Sequence, residues 1–214
     1  MQQQLFPRPE HLLLKPGVML LRGFAVPFSA QLQNAIRAVV AAAPFRHMMT
    51  PRGTYMSVAM TNCGEFGWVT DRSGYRYTRI DPDSQNPWPD LPELFTTLSR
   101  DAAELSGFPR FSPDACLLNR YRPGARMALH QDRDERDLTA PIVSISLGLP
   151  AFFLLGGTRR TDPPARIQLQ HGDVLVWGGP SRMLFHGIAP VAARTDQDFG
   201  AYRFNLTLRK AGSR

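Results

Sequence analysis

The chain has 214 residues, 43% apolar and 20% charged, with 25 basic and 18 acidic side chains for a formal net charge of +7. That length and mixture specify a globular chain with one good core, or at most two small ones. They exclude a membrane span, since no apolar run approaches the ~18 residues needed and Leu12-Leu13-Leu14 is cut by Lys15-Pro16. They also exclude a disulfide scaffold, since there are two cysteines, Cys63 and Cys116. No signal-peptide pattern opens the chain, so a cytoplasmic monomer is the default expectation. The basic set is 23 Arg with only Lys15 and Lys210 as lysines. Such a balance favours an acidic partner, nucleic acid first, although Arg in place of Lys is also what genome base composition alone produces.

In chain order, residues 1–17 read as a loosely held arm and 18–24 as a short strand. Ser29 is placed as the N-cap of a helix to Ala43, whose apolar face is Leu32, Ile36, Val39 and Ala43. Residues 51–90, rich in Gly, Pro, Tyr and Trp, read as short strands and loops, with 55–61 the best strand among them. A second helix is expected over 92–106, with Leu94, Phe95, Leu98, Ala102 and Leu105 inward and Gly107 ending it. From Ala115 onward strand-like runs recur: 115–121, 125–130, 141–149, 152–155, 166–170, 174–177, 183–188 and 201–209. Breaks at Gly, Pro or Asp separate them. The pattern specifies an all-β barrel or two-sheet jelly roll backed by two N-terminal helices.

The last run, Arg203-Phe204-Asn205-Leu206-Thr207-Leu208-Arg209, alternates with period two. Phe204, Leu206 and Leu208 share one face; Arg203, Asn205, Thr207 and Arg209 share the other. A polar face is either a solvent-exposed sheet surface or the lining of a polar pocket. In a pocket, two Arg with Cα atoms about 20 Å apart by strand rise could grip a dicarboxylate from opposite ends. Asn119 and Tyr121 point one way on an earlier run and can hydrogen-bond carboxylate oxygens; singly, each also reads as a sheet-edge amide or a half-buried core ring.

Iron held on one face needs a close His-x-Asp pair and a distant His. Five His and 13 Asp in 214 residues give roughly 0.3 such pairs by chance. Two pairs exist, His130-Gln131-Asp132 and His171-Gly172-Asp173, and spacing alone does not decide between them. The first ends a strand, precedes a charged loop at 133–137 of the kind that rims active sites, and has His186 54 residues past Asp132 (186−132). The second has a central Gly, leads into an apolar strand and lies 13 residues from His186 (186−173), so it reads better as a turn.

Taken together, Asn119-Arg120-Tyr121-x-Pro123-Gly124, His130-x-Asp132, the 141–148 run, His171-Gly172-Asp173-Val174, His186-Gly187-Ile188 and Arg203-x-Asn205-x-Thr207-x-Arg209 resemble the AlkB family of iron(II)- and 2-oxoglutarate-dependent dioxygenases. Pro44-Phe45-Arg46, residues 56–64, Trp68 and Gly74-Tyr75 extend the likeness over nearly the whole chain. The resemblance implies a mainly β fold with flanking helices: a double-stranded β-helix (jelly-roll) core at 115–210, preceded by helices and a nucleotide-recognition lid at 18–114, in a single domain. It implies Fe(II) on His130, Asp132 and His186 as the catalytic set. It implies 2-oxoglutarate with Arg203, Tyr121 and Asn205 at its distal carboxylate and Arg209 and Asn119 near the metal-bound end, and O2 as co-substrate. It reads His171-Gly172-Asp173 as a structural turn.

The implied reaction is oxidative demethylation of 1-methyladenine and 3-methylcytosine in DNA, single strands preferred. Succinate, CO2 and formaldehyde are released. The same resemblance leaves open double-stranded DNA, RNA or tRNA as substrate, and a non-catalytic nucleic-acid-binding or 2-oxoglutarate-sensing module. A base must leave its stack to enter a barrel pocket. Trp68 and Tyr75 are then candidates to stack on the base or brace phosphates, with Arg76 and Tyr77 beside them for backbone contact. Asp134 is a candidate acceptor for an exocyclic amine, and Arg160 a contact for phosphate or the base rim. Arg126 and Arg133 join the phosphate-facing candidates. The plain alternatives are packing for the rings and solvated surface for the charges. Leu155 stands where the family carries an aromatic lining residue, which bears on which bases fit.

Overall fold

A computed structural model describes residues 10–212. The elements are, in order, β1 (His11–Lys15), β2 (Val18–Leu21), α1 (Ser29–Ala42), β3 (Ala59–Gly64), β4 (Gly67–Asp71), β5 (Gly74–Thr78), α2 (Glu93–Leu105), β6 (Ala115–Tyr121), β7 (Met127–His130), β8 (Ile142–Gly148), β9 (Ala151–Leu155), β10 (Ala165–Leu169), β11 (Val174–Trp177), β12 (His186–Ile188) and β13 (Arg203–Arg209). They build a seven-stranded sheet, β1-β2-β11-β8-β13-β6-β3, a four-stranded sheet, β10-β9-β12-β7, and the separate hairpin β4-β5. Two antiparallel sheets face each other across a cavity, which is the jelly-roll arrangement.

Alternation on β13 decides what each face of the large sheet does. Leu206 and Leu208 join Leu118, Val143, Ile145, Val174 and Val176 in a core closed on the outside by Leu32, Ile36 and Val39 of α1 and Phe95 and Leu98 of α2. The opposite face of β13 is buried too: Arg203, Asn205, Thr207 and Arg209 are all at most 7% exposed. The polar face is therefore the inside of the jelly roll, and the solvent-surface alternative is excluded.

Several local expectations shift. Within the expected loose arm, residues 11–15 form β1, paired antiparallel with β2; residues 1–9 lie outside the described residues. Phe28, not Ser29, caps α1: a short 3-10 turn over Val26–Phe28 leads directly into the helix, and Ser29 Oγ donates to the Val26 carbonyl while meeting His171 Nε2 at 2.7 Å. Leu105 is 49% exposed at the last residue of α2, and Phe108 covers that end of the core instead. The strand expected over 55–61 runs Ala59–Gly64, and Tyr55 is exposed in a bend bridged to Met49.

One glycine sets the geometry near the site. A Cβ on Gly187 would stand 2.6 Å from the Met127 carbonyl oxygen, so only Gly lets β12 lie this close to β7. That pairing places His186 directly opposite His130.

Candidate active site

His130 ends β7, His186 opens β12, and Asp132 follows two residues past His130. Their ligand atoms all lie within 4.8 Å of one another, the one such metal-capable group among the described residues. His130 Nε2 stands 3.6 Å from Asp132 Oδ1, and His186 Nε2 3.6 Å from Asp132 Oδ2. Each imidazole spends its other nitrogen on a backbone carbonyl, His130 Nδ1 on Ala128 at 2.9 Å and His186 Nδ1 on Leu184 at 3.0 Å. A carbonyl only accepts, so Nδ1 carries the proton and the Nε2 lone pair points at the cluster, the tautomer a metal requires. Burial, reinforced by the neighbouring His186, pushes the His130 pKa down and favours the neutral ring. Burial alone would raise the Asp132 pKa; Arg209, which donates to Oδ2 from Nη2 (2.8 Å) and Nε (3.1 Å), overturns that and holds it well below the carboxylate range. Phe153 stacks on His186 with centroids 5.8 Å apart, and Trp177 packs at 5.0 Å. The donor set, two imidazoles with Nδ1 tied to the backbone and Nε2 turned to the cluster beside one ionised carboxylate, fits Fe(II).

The second His-x-Asp pair is a turn. His171 Nδ1 accepts from the Gly148 N–H at 3.0 Å, so its Nε2–H donates to Ser29 Oγ. Asp173 is taken by the N–H groups of Gly23 and Gln170 and by Arg22.

Asn119, Tyr121, Asn205 and Arg209 line the same cavity as His130 and His186. Asn205 Nδ2 donates to Ser144 Oγ at 2.7 Å, and Thr207 Oγ1 donates to Asn205 Oδ1 at 2.8 Å. Arg203 lies deeper, 0% exposed, behind the Tyr121 ring. Its Nη2 donates to Ser146 Oγ at 3.0 Å, but Nε and Nη1 have no partner, nor does Asn119 Oδ1. Buried donors of a cation are rarely left unpaired in a protein. An acidic ligand reaching Arg203 satisfies both, so these residues fit a dicarboxylate such as 2-oxoglutarate.

The hairpin β4-β5 brings Trp68, Tyr75 and Tyr77 to one face, with Trp68 opposite Tyr77. Trp68 stacks on Tyr75 at 5.6 Å, and its indole Nε1–H donates to Asp134 Oδ2 at 2.9 Å. Arg76 lies on the other face and is engaged by Asp71 through two hydrogen bonds of 3.0 and 2.6 Å, so it does not join the cluster. Arg160 is exposed and rides over Phe185, next to His186.

A sequence model described as 2OG-Fe(II) oxygenase superfamily matches residues 17–209. The chain is 53% identical over 201 residues to the Alpha-ketoglutarate-dependent dioxygenase AlkB of Escherichia coli (strain K12), covering 94% of this chain and 93% of that one. The chain belongs to the AlkB family of 2OG-Fe(II) oxygenases. It is also 43% identical to the AlkB homolog of Caulobacter vibrioides (strain NA1000 / CB15N), with 97% and 93% of the two chains covered. The solved structure titled "The structure of OsALKBH1" superposes with a TM-score of 0.82 at 28% identity, covering 94% of this chain and 100% of that one. As an AlkB-family dioxygenase the chain uses Fe(II), 2-oxoglutarate and O2.

This AlkB-family site also contains residues that sequence reasoning passed over. Ser144 and Ser146 share one face of β8, Ser144 lining the cavity and Ser146 accepting from Arg203, a signal that period two could have given. Trp177, whose place in an apolar run leaves core packing and a substrate-side role equally open from sequence, lines the cavity with its indole Nε1 unpartnered. Glu135 and Arg182 form a buried ion pair at 3.0 Å. Glu135 sits in a charged loop and Arg182 in a short irregular segment, and neither pattern carries a sign of burial.

Proposed function

We propose that this chain oxidatively demethylates N-alkylated bases, 1-methyladenine and 3-methylcytosine, in DNA, with single strands the preferred form. The carrying observation is that His130 and His186 of the metal cluster open on a jelly-roll cavity walled by Tyr121, that buried Arg203 lies behind that ring with two unpaired donors, and that Trp68 of the aromatic hairpin is joined to the loop after Asp132. The similarity to the E. coli AlkB dioxygenase supports the reading. In this reading the whole chain is one catalytic domain, with 115–210 as its core, acting as a cytoplasmic monomer. The directly opposed, free thiols of Cys63 and Cys116 suit a reducing compartment.

Bound Fe(II), with 2-oxoglutarate and O2 as co-substrates, would supply the oxidation: one oxygen atom of O2 ends in succinate as 2-oxoglutarate loses CO2, and the other on the methyl carbon, which leaves as formaldehyde. The chain's own residues do the rest. His130, Asp132 and His186 hold the metal. Arg203, with Tyr121 and Asn205, takes the distal carboxylate of 2-oxoglutarate, and Arg209 and Asn119 flank its metal-binding end. Arg209 also keeps Asp132 ionised. The apolar wall of Phe153, Trp177 and Ile188 limits water at the reacting carbon. Trp68 and Tyr75 stack on the flipped base, and Asp134 accepts from its exocyclic amine. In the free chain the Trp68 indole N–H already occupies Asp134, so an incoming amine exchanges one N–H donor for another. Arg160 completes the substrate side at the rim, while Tyr77 ties the hairpin to Glu135 and Arg76 stays paired with Asp71.

The test is release of succinate and formaldehyde from 3-methylcytosine-containing single-stranded DNA with Fe(II), ascorbate and 2-oxoglutarate. Turnover no higher than that of a His130→Ala control overturns the reading. Matched duplex and RNA competitors then rank the substrates; faster turnover on RNA replaces DNA with RNA in the assignment. Strand binding that needs no metal, with no oxidation, supports a binding module instead.

A further inference from the structure

Arg182 is 3% exposed, four residues before His186, and lies outside the roles above. Its guanidinium reaches three acceptors from three places in the chain. Nη1 donates to the backbone carbonyl of Asp132 at 2.6 Å, Nε to the Ala140 carbonyl at 3.1 Å, and Nη2 to Glu135 Oε2 at 3.0 Å. Glu135 is itself a hub: its Oε1 accepts from the Tyr77 hydroxyl at 2.7 Å and pairs with Arg209 Nε at 3.4 Å. A second link runs the other way, from Gln131 Nε2 to the Met183 carbonyl at 2.7 Å. The next carbonyl along, that of Leu184, fixes the His186 imidazole.

The short segment 182–184 thus carries both the donor that holds Asp132 in place and the acceptor that orients His186. These ligands come from chain positions 54 residues apart (186−132), and the register of β7 and β12 aligns His130 with His186 but leaves Asp132 beyond the end of the ladder. Arg209 holds the carboxylate group itself, but the backbone that carries Asp132 must be set by something else. A planar guanidinium with five divergent donors can join three acceptors at fixed angles; an ammonium on a flexible stem cannot.

We infer that Arg182 is a positioning residue for the metal centre: it fixes Asp132 relative to His186, with Glu135 as its buried counter-charge. The inference rests on the metal reading of His130, Asp132 and His186. Outer partners of metal ligands typically account for 10–100-fold in metal affinity.

The experiment is anaerobic titration of metal-free protein with Co(II), followed by its visible d–d bands, with and without 2-oxoglutarate. Wild type should bind one Co(II), and His130→Ala should weaken it; if wild type does not bind, the metal reading and this inference fail together. Arg182→Lys keeps a positive charge beside Glu135 but loses the three-way fork. It should fold and bind Co(II) about 10–100-fold more weakly, with shifted d–d bands. Arg182→Met combined with Glu135→Gln removes both charges and serves if the lysine variant fails to fold; it should show the same loss. A merely structural Arg182 would lower the folded fraction without changing affinity. Folded variants that bind Co(II) within twofold of wild type, with unshifted bands, overturn the inference while leaving the metal reading intact.

Discussion

Arg203 is a cation sealed under the large sheet with two N–H donors facing no partner. Burial pushes its guanidinium pKa down to about 10, against the pull of Tyr121 and Asp173, so it stays charged at neutral pH. A ligand carboxylate supplies the missing acceptor, and a hydrogen bond to a charged group contributes about 1.5–3 kcal/mol. Arg203→Gln should therefore raise the KM for 2-oxoglutarate by roughly 10–150-fold, read by succinate release, and leave Co(II) affinity in the absence of 2-oxoglutarate near that of wild type. An unchanged KM would separate Arg203 from the co-substrate. The neighbouring tyrosines give a pH signature. Burial pushes Tyr121 up to about 12, with Arg203 and Arg209 pulling the other way, and pushes Tyr77 well above its usual range. The folded chain holds these protons more tightly than the unfolded one. The Tyr121 contribution is complete below about pH 10 and is lost as pH rises from there to about 12, at about 1.4 kcal/mol per unit, and that of Tyr77 likewise falls once pH passes about 10. Urea midpoints should fall across that window, and absorbance at 295 nm should show buried tyrosinates lagging. One step near pH 10 for all five tyrosines would contradict the burial of this pair.

At the scale of elements, β13 was legible and the segment before it was not, for a definite reason. Period-two alternation separates Leu206 and Leu208 from Asn205 and Thr207 without any tertiary knowledge, and both faces proved buried. The polar face could be read as pocket or as solvent from the strand alone, because burial is a property of the opposing sheet. Ser29 shows the converse failure. It is a good capping residue by type, yet a turn ahead of it and the His171 ring behind it claim its hydroxyl. Glu135 and Arg182 were illegible because an isolated charge in a loop carries no periodicity; only the fold shows that each is the other's partner. The helices answer to packing rather than caps, since neither α1 nor α2 has a side-chain cap bond. Phe95→Ala, emptying a 0%-exposed site where α2 meets the sheet, should cost about 3–5 kcal/mol in a denaturant titration. Leu105→Ala, at the exposed end of the same helix, should change stability by less than about 0.5 kcal/mol. Equal losses would mean that α2 does not dock through the Phe95 side.

Across the whole molecule, the excess positive charge divides by what each Arg already touches. Arg182, Arg203 and Arg209 are buried at the site and offer nothing to an outside anion. Arg22, Arg46, Arg76, Arg79 and Arg159 hold carboxylates on their own chain. The Asp71 pKa is lowered to about 2, first by the Arg76 hydrogen bonds, so that pair stays ionised down to strongly acid pH; the carboxylate's contribution is present above about 4 and is lost as pH falls through about 2. Arg126, Arg133 and Arg160 are exposed and, among the described residues, form no ion pair within 4 Å. They also adjoin segments that carry the site: Arg126 precedes β7, Arg133 follows Asp132, and Arg160 lies over Phe185, next to His186. Each phosphate contact to a single strand contributes about 0.7 to the slope of log affinity against log salt, through counterion release. Replacing Arg133 or Arg160 by Ala should lower that slope by about 0.7 each, measured by fluorescence anisotropy of a methylated oligonucleotide from low to moderate salt. Arg76→Ala should change it far less, because Asp71 already occupies that guanidinium. If Arg76 moves the slope as much as Arg133, the ion pair opens on binding and the hairpin contacts the backbone after all. If none of the three moves it, the nucleic acid approaches over a different face and the division of charge proposed for the surface is wrong.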